Sequence, residues 1–379
     1  MAAKKNQHYV PQYYFRYFND KQKFISLLLV NDKRIINKCS ISDQSSLPYF
    51  YGDSEVENKI CIIENSNRIA LNKFLDEKII DKQQKKEIIE CILFQHSRTA
   101  KSRQLMRSTW QTVEAFTDFH DNVGNERDAK KWLQQNDLKS FEVNEKQWHL
   151  RQLSMLKNAS WQLSDLDYLI LNNKSELDFV FSDAPVVYLN PFMVNFKEKG
   201  ITGTLSKGLI VAYPVSNKLL VLLFEREVYN FDPLIDRLIN KNKTLDADVE
   251  MVKYFNYLQF LNAESCVYSN QKESLEILKE RSGRVITKFT CHVELKNEGK
   301  NNAGVLFSGA LDQTPNFPPP PFFNYKMAKK FWKSRQKSQQ NYKKLNEKRF
   351  KRLSSEDGIK QLSKAKSFDE IFSILNLTI

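Results

Sequence analysis

The spacing of apolar residues changes once along this chain, near residue 159, and that change limits the fold more than any single motif. Ahead of it, over 54–78, Val56, Ile60, Ile63, Ala70 and Phe74 recur at helical spacing, with Ser54 and Glu57 set as a capping box. A second helix is predicted from near Lys82 through "KKEIIECILFQHSRTAKSRQLMRSTWQTVEAF", with further helices over 126–135 and 143–158. Beyond it, "SDLDYLILNN", "DFVFSDAPVVYLN", "GLIVAYPVS" and "KLLVLLF" are short, β-rich and punctuated by Asn, Asp, Pro and Ser. A helix over 245–262, a strand at "SCVYS" and a late strand in "RVITKFTCHVEL" complete this half. Near the start, "KFISLLLV" and "RIINKCSI" flank "NDK" as a β-hairpin. Elements segregated in this way predict an α+β fold: an N-terminal hairpin and helical block packed with a mostly antiparallel sheet, plus a basic C-terminal helical tail.

At 379 residues the chain exceeds one ordinary core. A main domain is expected over 1–310, helical over about 54–158 and sheet-rich over 159–310. Four consecutive prolines in "DQTPNFPPPPFFNYK" cannot continue a helix or a central strand, so 311–324 reads as a stiff linker and 325–379 as the tail. The net charge of +13 is concentrated in that tail: 326–352 holds twelve Lys and Arg against one acid, Glu347. The body therefore carries about +2. A nucleic-acid partner would act through the tail, with Lys329, Lys330, Lys333, Arg335, Lys343, Lys344, Arg349 and Arg352 as its candidate contacts and aromatic residues between them.

No run reaches the roughly 18 apolar residues of a membrane span, and the first residues lack a secretory signal, so a soluble, cytoplasmic protein with no membrane partner is expected. Cys39, Cys61, Cys91, Cys266 and Cys291 are scattered without a CxxC pair and read as reduced core thiols. With only 10 glycines, no phosphate loop or dinucleotide fingerprint is present. HExxH and GxSxG are absent as well.

Four places could carry chemistry. In "CILFQHSRTAKSR", Gln95 and Arg98 face the side that buries Ile88 and Cys91, and a buried guanidinium requires an acidic or carbonyl partner, structural or ligand-borne; His96 points elsewhere. "FVFSDAPVVYL" holds Asp183 at a strand end, where it could bind a metal, act as a base or partner Arg98. Glu57 and Glu64 share a helix face, with Arg68 at the spacing of an exposed ion pair to Glu64. Asn256, Gln259 and Asn262 recur every three residues, as amides that read a ligand or tie down loops.

Taken with "NQHYVPQYYFRYF", which opens the chain at Asn6 with His8 ahead of a dense aromatic run, these places resemble the uncharacterised domain of unknown function 4238 family, found mainly in bacteria and also in fungi. The resemblance rests on His8-Tyr9-Val10-Pro11, on Tyr51-Gly52 followed by Glu57 and Glu64, on Gln95 and Arg98 as QxxR, on Ser182-Asp183-Ala184-Pro185, on Tyr213-Pro214-Val215-Ser216, and on the stretch from Asn256 to Ser269. Ala184 and Asn217 depart from the usual pattern. The resemblance implies no activity, but it does imply that His8, Glu64, Gln95, Arg98, Asp183 and Asn256 belong to one site.

Two functions follow as expectations. One is a nuclease or nucleotide-processing effector acting on a phosphate-containing substrate, with His8, Asp183 and Glu64 catalytic, Gln95, Arg98 and Asn256 binding substrate, a divalent metal left open, and bacterial defence as its setting. The other is a non-catalytic nucleic-acid-binding or protein-interaction module. The aromatics are expected to dock the segment so that His8 enters a polar pocket, and the geometric test is whether His8 lies within about one water of Asp183, Glu64 or Arg98.

Overall fold

The computed structural model describes residues 6–20, 22–78, 80–123, 126–136, 141–156, 159–193, 201–281, 286–297, 303–314 and 320–325. In chain order these form β1 (Asn6–His8), α1 (Gln12–Phe15), β2 (Phe24–Leu29), β3 (Ile35–Ser40), β4 (Ser46–Pro48), α2 (Ser54–Glu77), α3 (Lys82–Ser97), α4 (Ala100–Asn122), α5 (Glu126–Gln135) and α6 (Glu145–Met155). The sheet-rich half follows as β5 (Asp167–Asn173), β6 (Phe181–Ser182), β7 (Val187–Leu189), β8 (Ile210–Pro214), β9 (Leu219–Phe224), β10 (Tyr229–Asn230), α7 (Pro233–Asn242), β11 (Thr244–Ala247), α8 (Val249–Asn262), β12 (Cys266–Ser269) and α9 (Lys272–Lys279). The hairpin β13 (Ile286–Asn297) and β14 (Ala303–Thr314) lies beside α4, and β15 (Asn324–Tyr325) pairs with β10. The fold is α+β, as the segregated patterning predicts.

A five-stranded sheet, ordered β11-β5-β9-β8-β7, is antiparallel except for the parallel β11–β5 pair. Its strands β8 and β9 are apolar at nearly every position because both faces are covered. On β9, Leu220 and Leu222 face one core with Val252, Phe255 and Leu258 of α8. Val221 and Leu223 face the other, with Ile88 and Ile92 of α3 and Phe74 of α2. A second sheet, β3-β2-β12-β6, extends the predicted hairpin.

The N-terminal aromatics dock onto the edge of this second sheet. Around Phe181 of β6 stand Tyr14, Phe15, Phe18 and Tyr268, with ring centroids 5.2, 5.0, 4.5 and 5.2 Å away. Tyr14 also stacks on Tyr213 at 5.6 Å and donates its hydroxyl to the Pro214 carbonyl. Such clusters add pair energy to area burial.

Several local expectations are corrected. The N-cap of α2 is Asp53, whose carboxylate accepts from Glu55 and Val56 N–H, so Ser54 and Glu57 form no capping box. The long helix from Lys82 breaks at Thr99, which is extended and takes the Ser102 N–H at 3.1 Å; this cap starts α4 and leaves Arg98 as the C-cap of α3. The predicted 245–262 helix begins as strand β11. Cys61 is exposed and Cys39 and Cys266 are half-buried, so among these only Cys91 is a core thiol. The segment 311–324, expected as a linker, contains the end of β14 and two core residues: Phe322 and Phe323 are buried, and Phe323 meets Phe224, Tyr229 and Phe231 at 5.4, 5.1 and 4.8 Å. Residues 326–379, the expected tail, lie outside the described residues. Among the described residues, no helix is long and apolar enough to cross a membrane.

Phe181→Ala should lower the unfolding free energy by about 3–5 kcal/mol. Urea denaturation followed by intrinsic fluorescence measures this, and a loss below about 1 kcal/mol would show that the N-terminal aromatics are not packed as described.

Candidate functional site

The N-terminal segment is held from below by the end of α3. Arg98, 1% exposed, donates from Nη2 to the His8 carbonyl at 2.6 Å and to Glu64 Oε1 at 2.5 Å, and from Nε to the Tyr51 hydroxyl at 2.9 Å. Three residues earlier, Gln95 Nε2 donates to the Tyr9 carbonyl at 3.0 Å. The QxxR element thus takes the two carbonyls of His8 and Tyr9. Burial alone would lower the Arg98 pKa, but Tyr51 and Glu64 beside it raise it overall, so the guanidinium stays charged. Burial pushes the Tyr51 phenol up to about 12, which keeps it a donor to the His8 carbonyl at 3.4 Å.

The Gln7 side chain fixes the neighbouring turn. Its Oε1 accepts the Tyr51 and Gly52 N–H groups at 2.6 and 3.3 Å, and its Nε2 donates to the Gly52 carbonyl at 3.0 Å. Gly52 sits at φ +121°, a backbone state that side chains other than hydrogen strongly disfavour. The Tyr-Gly pair is therefore the counterpart of Gln7.

Above this base opens a polar cleft of about 290 Å³, lined by residues of α1 and α2 with His8 at its edge. His8 and Glu64 both line it, as do Gln12, Arg16, Glu57, Asn65 and Arg68. The His8 Nε2 lies 3.0 Å from the Ser42 carbonyl. The same nitrogen lies 3.4 Å from Gln12 Nε2, so the Ser42 carbonyl is met as an acceptor in the tautomer that carries the proton on Nε2. Arg16 and Arg68 are exposed, and each binds a neutral amide: Arg16 reaches Gln12 Oε1 at 3.5 Å and Arg68 reaches Asn65 Oδ1 at 2.9 Å. Neither has a carboxylate partner among the described residues. The expected Glu64–Arg68 ion pair is not formed, because Glu64 turns inward to Arg98.

Asp183 and Asn256 stand apart from this cleft. The Asp183 carboxylate is buried and accepts the N–H groups of Glu264, Ser265 and Cys266 at 2.8, 2.8 and 3.2 Å, fixing the entry to β12. Burial pushes its pKa up to about 6, against the pull of those donors. Asn256 takes the Val180 N–H at 2.9 Å and gives to the Asp178 carbonyl at 2.8 Å. Gln259 and Asn262 continue the same role one turn on: Gln259 binds Ser182 N–H and the Pro185 carbonyl, and Asn262 the Ala184 and Val186 carbonyls. These amides supply the backbone partners that the irregular 178–186 segment lacks. The structure therefore joins His8, Glu64, Gln95 and Arg98, and gives Asp183 and Asn256 to a separate scaffold.

Sequence reasoning passed over Gln12 and Arg16, although their four-residue spacing just after Pro11 puts them on one face of α1. It also missed Arg103 and His149, which nothing in the sequence links. Arg103 donates to the Phe50 carbonyl at 2.5 Å and contacts His149 Nδ1 at 2.9 Å, while the other His149 nitrogen meets the Ser97 carbonyl at 2.9 Å. Burial, aided by Arg103, pushes the His149 pKa down to about 3. The expected contacts from Lys329 to Arg352 lie outside the described residues.

The fold and site define an α+β protein whose N-terminal segment is clamped by a QxxR helix end beneath a polar cleft. A family model described as a protein of unknown function, DUF4238, matches residues 6–273, and the chain belongs to that family. The match begins at β1 and ends inside α9, so it takes in the clamp, the cleft and the amide scaffold. Neither a curated protein nor a solved structure matches the chain.

Removing either member of the Arg98–Glu64 pair leaves a poorly compensated charge, so Arg98→Leu and Glu64→Leu should each cost about 3–5 kcal/mol, and the double variant less than their sum. Additive losses in chemical denaturation would contradict the pairing. The buried His149 gives a pH signature: its folded pKa is depressed, so its contribution is complete above about 6.5 and is lost as pH falls toward about 3. Between pH 7 and pH 5 that loss is about 2 kcal/mol. Asp183, with its raised pKa, slopes the other way, but equally in both proteins, so the difference between wild type and His149→Gln isolates the histidine. Parallel stability-versus-pH curves would refute the assignment.

Proposed function

We propose that the cleft binds a phosphate-containing substrate and that the protein is a nuclease or nucleotide-processing hydrolase. The observation that supports this reading is the placement of His8 in one cleft with two guanidinium groups, Arg16 and Arg68, that carry no carboxylate partner among the described residues. Phosphoryl oxygens would replace the missing counter-charge, and Arg presents a planar fork suited to them. Gln12 and Asn65, already bonded to these arginines, orient them.

In this reading His8 moves the proton, with its ring oriented by the Ser42 carbonyl and Gln12. Glu57, half-buried in the same cleft, is the carboxylate placed to orient a water, while Glu64 is committed to Arg98. Arg98, Gln95 and Tyr51 are positioning residues, since they touch the backbone of His8 and Tyr9 and leave substrate to the groups above. The steps are written with the chain's own side chains, as proton transfer and charge neutralisation, and a divalent metal is left open. The twelve basic residues of 326–352 would gather a nucleic-acid substrate by counterion release, in a cytoplasmic effector of bacterial defence.

The full chain, incubated with short RNA and DNA oligonucleotides and with nucleotides, should cleave at least one of them. His8→Gln should lower the rate by about 10²–10⁴-fold with folding retained. Arg16→Ala and Arg68→Ala should each weaken substrate binding by about tenfold. An unchanged rate in His8→Gln would end the catalytic reading, and salt-sensitive binding without cleavage would leave a recognition module in its place.

A further inference from the structure

Two proton-transfer groups of different kinds line the cleft beside Arg16 and Arg68: the His8 imidazole and the Glu57 carboxylate. Glu64, the other acid there, is bonded to the buried Arg98, so acid–base work falls to Glu57 and His8. The His8 ring is held from two sides, with Nε2 3.0 Å from the Ser42 carbonyl and 3.4 Å from Gln12 Nε2. Gln12 in turn accepts from Arg16 at 3.5 Å, which links the imidazole to one of the two cations through a single side chain.

Phosphoryl transfer also needs a nucleophile. Among the residues that line the cleft, Tyr13 carries the only hydroxyl, and burial pushes its pKa well above the ordinary phenol range, so it stays protonated. A ribonucleotide brings its own nucleophile, because its 2′-hydroxyl stands next to the phosphodiester. A group tied to its target in this way has an effective concentration far above that of an independent one. The same hydroxyl is what distinguishes RNA from DNA.

On the reading of the cleft as a phosphate site, we propose that the substrate is RNA, cleaved by attack of its own 2′-hydroxyl on the neighbouring phosphodiester. Glu57 takes the 2′ proton as the bond from the 2′ oxygen to phosphorus forms. The bond from phosphorus to the 5′ oxygen breaks, and protonated His8 gives its proton to that departing oxygen. The products are a 2′,3′-cyclic phosphate and a 5′-hydroxyl, and no co-reactant is consumed. Arg16 and Arg68 meet the non-bridging oxygens, whose negative charge grows as phosphorus becomes five-coordinate. The volume of about 290 Å³ suits one phosphodiester with its ribose.

Matched single strands of RNA, DNA and fully 2′-O-methylated RNA, incubated with the full chain and read by mass spectrometry of the product ends, test it. RNA should be cleaved at least about 10³-fold faster than DNA, and the methylated strand should resist cleavage. Fragments should end in a 2′,3′-cyclic phosphate, or in the 3′-phosphate left by its hydrolysis, opposite a 5′-hydroxyl. Glu57→Gln should lower the rate by about 10²–10⁴-fold, as should His8→Gln prepared in the same way. Cleavage of the methylated strand, DNA cleavage at a similar rate, 5′-phosphate ends, or activity on nucleotides alone overturns the inference and leaves the hydrolase reading standing. Loss of cleavage in Cys61→Ser, which would mark a thiol nucleophile, does the same. No cleavage of RNA, DNA or nucleotides ends both.

Discussion

One buried charge organises the N-terminal half of this protein. A guanidinium taken out of water is tolerated only when its donors are met, and Arg98 meets them with a carboxylate on α2, a phenol after β4 and the carbonyl of His8. Those partners come from three separate stretches of chain. Satisfying Arg98 therefore requires α2, the Tyr51–Gly52 turn and the first strand to be in register at once, and the cleft above His8 results from that register. Specificity of arrangement, more than net stability, is what such a buried pair supplies.

The sheet-rich half solves a different problem. Its five-stranded sheet is covered on both faces, so the segment 178–186 must cross between layers without a full set of ladder partners. Unpaired buried backbone groups are costly, and the amides of Asn256, Gln259 and Asn262, spaced three residues apart on α8, take them up. Asp183 does the same for the turn into β12. The polar residues of this half are thus scaffold first.

How much was legible in the sequence depends on whether the cause was local. Periodicity showed the α2 and α3 helices, the β2–β3 hairpin and the strands of the sheet, because each is set by side chains a few residues apart. The aromatic run after His8 announced a docking segment, and its rings do close around Phe181. Thr99 hid a helix break, since a cap competes with helix continuation through one hydrogen bond that spacing alone does not weigh. Glu64 shows the limit most clearly: its four-residue spacing to Arg68 suggested a surface pair, yet the buried Arg98, thirty-four residues on, has the greater need of a carboxylate. Asp183 was read toward chemistry for the same reason, because the three N–H donors that occupy it lie some eighty residues away.

The cleft lined by α1 and α2 is tied to the end of α3 by the hydrogen bond from Arg98 to the His8 carbonyl. The central claim is that Arg98, itself buried, sets the place of His8 in the cleft proposed to bind phosphate. Histidine-ring nitrogen NMR of the full chain, titrated with inorganic phosphate, measures this directly in wild type and in Arg98→Lys. The account predicts that His8 carries its proton on Nε2 and shifts saturably with phosphate in wild type, and that this response is lost or greatly weakened in Arg98→Lys while the protein stays folded. A His8 signal that ignores phosphate, or that responds identically in both proteins, would contradict it.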